Sequence, residues 1–206
     1  MTDVTLPSGL LVRNMTIGQT SYGRTFRNDQ SGAEQVQIMG PPLWRASIAS
    51  DSTLKASQAA LWKQLLLSLD GRINRIALYD LLNVEPRGTM RGAMQLSAFA
   101  QQGATSMSIV AAGQGAKTLL TSDWLTVVAG GEVQLVSLMS DATSDGAGRT
   151  EVNFKPALRR AYQAGSTIVW DKPYTMFRAT DNNSQWSIEQ VHAGSYSLSF
   201  LESLVP

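Results

Sequence analysis

The chain has 206 residues, with 17 Lys and Arg against 16 Asp and Glu, a formal net charge of +1 and no cysteine. Such a balance excludes a protein built chiefly to neutralise nucleic-acid phosphates. The missing cysteines exclude disulfides, thiol catalysis and zinc–thiolate sites together. The length suits one large domain or two small ones; a compact body of this size buries roughly 70% of its unfolded surface and needs no covalent staples.

Charged residues make up 16% of the chain, below the ~25% usual for soluble domains. A weakly charged exterior is expected where much of the surface meets other subunits. The N-terminal stretch "MTDVTLPSGLLVRNM" lacks a basic leader followed by a long apolar run, so no signal peptide is expected. No segment approaches the ~20 apolar residues of a membrane span. Cysteine usage fits assembly in the cytoplasm.

In chain order, residues 11–17 and 34–39 ("EQVQIM") alternate apolar and polar, as half-buried strands do. "LWRASIAS" (43–50) follows Pro41 and Pro42, with Trp44, Ala46 and Ile48 on one side and Leu43, Arg45 and Ser47 on the other. Then the period changes. In "DSTLKASQAALWKQLLLSLDG", Leu54, Leu61, Leu65 and Leu69 share a helical face with Trp62 and Leu66 beside them. Asp51 or Ser52 is the expected N-cap and Gly71 the left-handed stop, predicting a helix over 52–69 with Trp62 in the core.

Beyond the helix a strand is expected near 73–79, then a turn-rich stretch with Pro86, Gly88 and Gly92. Short strands are predicted at 94–98, 106–111, 124–128, 132–139, 149–154 and 166–170, a spacing that suits a small barrel or sandwich. Alternation returns at 174–180 and 185–201, where "YSLSFLES" is expected to pair with the first half of the chain. The predicted fold class is therefore mainly β: a β-sandwich with one covering α-helix, formed by 1–91 and 173–206, carrying an inserted small, OB-like β-barrel at 92–172.

The candidate chemistry is thin. "GQGAKT" (113–118) has Ala116 and Ala111 where a phosphate-binding P-loop needs glycine, so a hairpin turn with solvated Lys117 is expected. His192, with Glu189 before it, is the sole histidine, and no Gly-x-Ser-x-Gly elbow accompanies it. It cannot supply the clustered ligands of a zinc or iron centre. The acids show no paired arrangement that marks a glycosidase.

"DATSDGAGRTEV" offers Asp141, Thr143, Asp145 and Gly146 at calcium-loop spacing. Val152 stands where the bidentate Glu belongs, so a long hairpin is the expected role. Trp124, Trp170, Trp186, Tyr174 and Tyr196 are of the type that stacks on sugar rings, although their alternating strand positions point to the core. No catalytic, cofactor-binding or metal-binding residue is assigned.

The order of "WRASIAS", "LLLSLDGRINRIALYD", "PRG", and "LLTSDWLTV…EVQLVSLMSDATSDGAGRTEVNFKPALRRAYQAGSTIVWDKPYTMFRAT" resembles the distal tail (baseplate) proteins of long-tailed, siphovirus-type bacteriophages. The resemblance runs from about Ala33 to Leu201. Ser122-Asp123 replaces an expected Gly-Asp before "WLTV", so that turn is expected to differ.

The resemblance implies a non-enzymatic structural adaptor of the virion tail, a homo-hexameric ring around the tail lumen. Its implied partners are the tail-tube protein on one face and the baseplate hub or tip protein on the other, with tail fibres or host-surface sugars met by the outward barrel. No cofactor, nucleic-acid specificity or membrane insertion is implied. Within "PALRR", Arg159 and Arg160 are the residues singled out as assembly contacts. The alternative is a carbohydrate-binding tail module, and a tail-associated hydrolase comes third.

Overall fold

A computed structural model describes residues 2–51, 54–182, 186 and 194–204. The elements in chain order are β1 (Asp3–Val4), β2 (Asn14–Arg27), β3 (Glu34–Ala49), α1 (Ala56–Leu69) and β4 (Arg75–Tyr79). Then come β5 (Met94–Leu96), β6 (Ser106–Ala111), β7 (Thr118–Leu119), β8 (Trp124–Ala129) and β9 (Glu132–Leu138). The series closes with β10 (Ala142–Thr143), β11 (Arg149–Lys155), β12 (Thr167–Val169), β13 (Tyr174–Ala179) and β14 (Ser197–Glu202). The described residues are mainly β, with one helix and a closed six-stranded barrel ordered β11-β6-β5-β12-β8-β9. The remaining strands form a six-stranded sheet, β1-β4-β13-β14-β3-β2, and a two-stranded pair, β10-β7.

Two compact units emerge: Met1–Thr2, Pro7–Arg75 and Phe177–Glu202 in one; Asp3–Leu6, Ile76–Met176 and Ser203–Pro206 in the other. In the first, β14 returns from the far end of the chain to lie antiparallel to β3, with Leu198 opposite Ile48 and Phe200 opposite Ala46. This is the long-range pairing expected of "YSLSFLES". Trp44, Ala46 and Ile48 are buried on one face, since successive side chains of a strand point to opposite faces. Trp62 of α1 is fully buried, stacked on Tyr196 at 5.8 Å between ring centroids, and its indole N–H donates to Leu11 O at 3.3 Å.

The helix is shorter than its sequence pattern predicts. It begins at Ala56, with Lys55 in an extended N-cap conformation and no side-chain cap. Asp51 instead pairs with Arg13 at 2.8 Å; Ser52 lies outside the described residues. At the other end Asp70 itself takes the left-handed conformation, φ 48. Gly71 follows at φ 61, where an added Cβ would lie 2.9 Å from the Asn182 carbonyl oxygen. Asn74 completes the end, its amide donating to Ser68 O at 2.9 Å and its backbone N–H to Leu69 O.

The barrel strands were legible nearly to the residue. In β6, Met107, Ile109 and Ala111 point inward; in β11, Val152 and Phe154 do so. Their core also takes in Leu125, Val127 and Val136, and each fully buried side chain of this size contributes about 1.5–3 kcal/mol.

Candidate functional site

The most distinctive surface is one that the alternation of "EQVQIM" misrepresents. Every residue from 21 to 39 is exposed, so this half of β3 covers no core. β2 and β3 form a ribbon paired from Asn14↔Ala49 to Arg27↔Glu34, whereas β14 accompanies β3 only over Arg45–Ala49. Trp44 still donates its N–H to Glu202 Oε2 at 2.9 Å, but among the described residues no third strand pairs with the ribbon outward of Gly40. The change falls where Pro41 and Pro42 enter the strand and two register shifts occur near Tyr22, as expected of residues that cannot donate to a ladder.

The arm is locally well built. At its tip the Asn28 side-chain oxygen accepts the N–H groups of Gln30 and Ser31 at 2.9 and 3.2 Å, and Gly32 supplies the left-handed residue at φ 69. Thr25 opposite Val36 and Gly23 opposite Ile38 share one face; Phe26, opposite Gln35, and Arg24, opposite Gln37, share the other. The Arg24 guanidinium lies 5.1 Å from the Phe26 ring centroid. Val36, Ile38 and Met39 are 62, 82 and 63% exposed. A two-stranded ribbon is marginal in water by itself, and free edges bearing apolar side chains invite pairing or packing with another chain.

The loops that imitate ligand sites serve each other instead. Asp145 Oδ1 accepts the N–H groups of Ala147 and Arg149, each at 2.8 Å, and Asp141 Oδ1 accepts that of Thr121 at 2.7 Å. Both carboxylates therefore organise turns. Ser144 donates its hydroxyl to Gln114 O and accepts the Lys117 N–H at 2.9 Å, tying "DATSDG" to "GQGAKT". The latter is not a hairpin turn as expected: it joins β6 to β7, and β7 pairs with β10. Lys117 is exposed. The expected long hairpin between β9 and β11 exists, with Phe154 opposite Leu138, and β10 lies within its connection.

Two pieces of the resemblance meet at one buried carboxylate. Asp123 Oδ1 accepts the Arg87 N–H at 2.8 Å, and Oδ2 accepts those of Leu120 at 2.7 Å and Gly88 at 3.2 Å. Arg87 adds a charge contact at 3.8 Å and a hydrogen bond to Thr121 O. Ser122 takes φ 67, so the turn keeps a backbone suited to glycine despite its side chain.

The remaining candidates are dispersed. Arg160 pairs with Glu132, with its guanidinium 6.0 Å from the Tyr162 ring centroid, and the hydrogen bond to Glu132 raises its pKa further. Arg159 donates its backbone N–H to Gln134 Oε1 at 2.9 Å. Trp124 and Tyr174 are half-buried and Tyr196 is buried. Trp186 is 38% exposed, with Lys63 Nζ 5.2 Å from its ring centroid. Of the five aromatics, Trp170 lines an open depression on the barrel. Glu189 and His192 lie outside the described residues.

Among the described residues no group of three or more His, Asp or Glu is placed to hold a metal ion, and no helix is long and apolar enough to cross a membrane. No protein-family model and no curated protein matches the chain.

Proposed function

We propose that this protein is a structural adaptor of a bacteriophage tail tip, forming a ring that joins the tail tube to the baseplate hub or tip. One observation carries the assembly part of the reading: the outer β2–β3 arm, which no third strand pairs beyond Gly40 among the described residues and which exposes Val36, Ile38 and Met39. A head-to-tail contact, in which the arm of one copy packs on a different surface of the next, closes into a ring when the rotation permits. The adaptor role, the virion location and the tube and hub partners come from the resemblance of "WRASIAS", "PRG" and the "DATSDG…PALRR" block to distal tail proteins. On this reading the chain performs no catalysis. Its outward barrel is the part available to fibres or host-surface sugars.

Purified protein is expected to form a closed ring, or to oligomerise on tube or hub protein. A strictly monomeric species at high concentration, binding neither, contradicts the proposal. The alternative, a carbohydrate-binding tail module, draws on the depression beside Trp170.

A further inference from the structure

The outer surface of the barrel carries a depression of about 500 Å³, within the size range of small-molecule sites. Strand register puts Thr167, Gln95 and Val110 side by side across β12, β5 and β6, and all three line it. Trp170 and Asp171 border the same space, with Gly92 beside them.

Trp170 is held firmly. Its indole N–H donates to Gly92 O at 2.6 Å, and the Arg91 guanidinium lies 5.1 Å from its ring centroid. Arg91 is in turn pinned by the carbonyl oxygens of Pro86, Gly88 and Met90 at 2.7–2.8 Å. A ring fixed at its edge and by an immobilised cation loses little freedom on meeting a ligand, which favours binding.

The lining is mainly apolar, with one amide, one hydroxyl and one carboxylate at its rim: Gln95, Thr167 and Asp171. Among the described residues that line it there is no Lys or Arg, and the Arg91 guanidinium beside Trp170 already pairs with Glu85 at 3.7 Å. The one charged group in the lining is the Asp171 carboxylate, which disfavours an anionic ligand. An aromatic wall beside separate donors and acceptors matches a sugar ring, whose C–H face is apolar and whose hydroxyls project from the edge.

We propose that this depression is a binding subsite for a neutral pyranose ring. The proposal does not rest on the ring-forming arm, so either can fail without the other. The test is titration of the full chain with cellobiose and with di-N-acetylchitobiose, following the indole N–H resonances by NMR. The expected result is a saturable shift of the Trp170 signal for at least one disaccharide, with Kd of about 1 mM. Thr167→Arg, which lays a long charged side chain across the row, is expected to weaken binding at least about tenfold while leaving the circular dichroism spectrum unchanged. Gln95→Ala is expected to weaken it less. No saturable shift with either sugar up to roughly 50 mM, or a shift indifferent to Thr167→Arg, overturns the proposal.

Discussion

The carboxylate of Asp123 accepts the backbone N–H of Gly88 at 3.2 Å, although 35 residues separate them. Gly88 reaches that position because it lacks a side chain: an added Cβ would lie 2.2 Å from Thr118 O and 2.7 Å from Leu119 Cα. Backbone atoms cannot swing aside as a flexible side chain does, so Gly88→Ala must displace the turn. Asp123→Ala would leave the N–H groups of Arg87, Gly88 and Leu120 without their acceptor. Each change is expected to cost about 3 kcal/mol or more in urea unfolding. Arg87→Ala is expected to cost well under half of that, because the Arg87 side chain is 56% exposed and exposed ion pairs contribute little. Equal costs for Arg87→Ala and Asp123→Ala would assign the stabilisation to charge rather than to the three N–H bonds.

Asp145 makes the contrast between a turn and a calcium loop measurable. Asp145→Ala removes the acceptor of the Ala147 and Arg149 N–H groups, an expected loss of about 1–2 kcal/mol. Millimolar calcium is expected to leave the Tm of the parent protein unchanged. A saturable, calcium-dependent rise in Tm that disappears in Asp145→Ala would restore the calcium loop.

Burial raises the Tyr196 phenol pKa above its ordinary value of 10.0. The folded state thus holds the proton more tightly than the unfolded one. Its contribution is fully present below about pH 10 and is lost as pH rises through the raised native value, by at most about 1.4 kcal/mol per pH unit. Tyr196→Phe is expected to show a smaller fall in stability between pH 9 and 11 than the parent. Parallel curves for the two proteins would remove Tyr196 from the alkaline response.

Arg160 already has partners within its own barrel, Glu132 and the Tyr162 ring. Its side chain is 41% exposed, so Arg160→Ala is expected to change stability by less than about 1 kcal/mol. Assembly, followed by light scattering, is expected to persist. Loss of the proposed assembly by this substitution alone would make the barrel an essential part of the interface.

What could be read from the sequence follows from how each element is stabilised. Strands that bury one face carry that face in their residue pattern, so β6 and β11 emerge from Met107, Ile109, Val152 and Phe154. Trp62 declares its burial through the leucine stripe around it. The arm buries neither face, so the alternation in "EQVQIM" marks a strand that is present while its implied half-burial is absent. Its usable signal was the Pro41-Pro42 pair, which marks where the ladder becomes irregular. The helix starts later than its leucine stripe implies, at Ala56 behind an extended Lys55 without a side-chain cap, while Asp51 pairs with Arg13, 38 residues away. Asp123 gave no sign of its role for a similar reason: its bonds to Arg87 and Gly88 depend on chain return, not on local spacing. The Trp170 depression likewise exists only once β5, β6 and β12 lie side by side.

The central claim is that the β2–β3 arm joins copies of this chain into a ring, and molar mass in solution tests it most directly. Multi-angle light scattering on the full chain and on a Val36→Asp/Ile38→Asp double variant compares the two at matched concentration. Both positions are exposed on one face of the arm, so the charges are expected to leave the fold and its circular dichroism spectrum intact. The account predicts a mass several times that of the 22.3 kDa chain for the parent and the mass of a single chain for the variant. A parent that stays monomeric at high concentration both alone and with tube or hub protein, or a variant that keeps the parent's multiple mass, would contradict it.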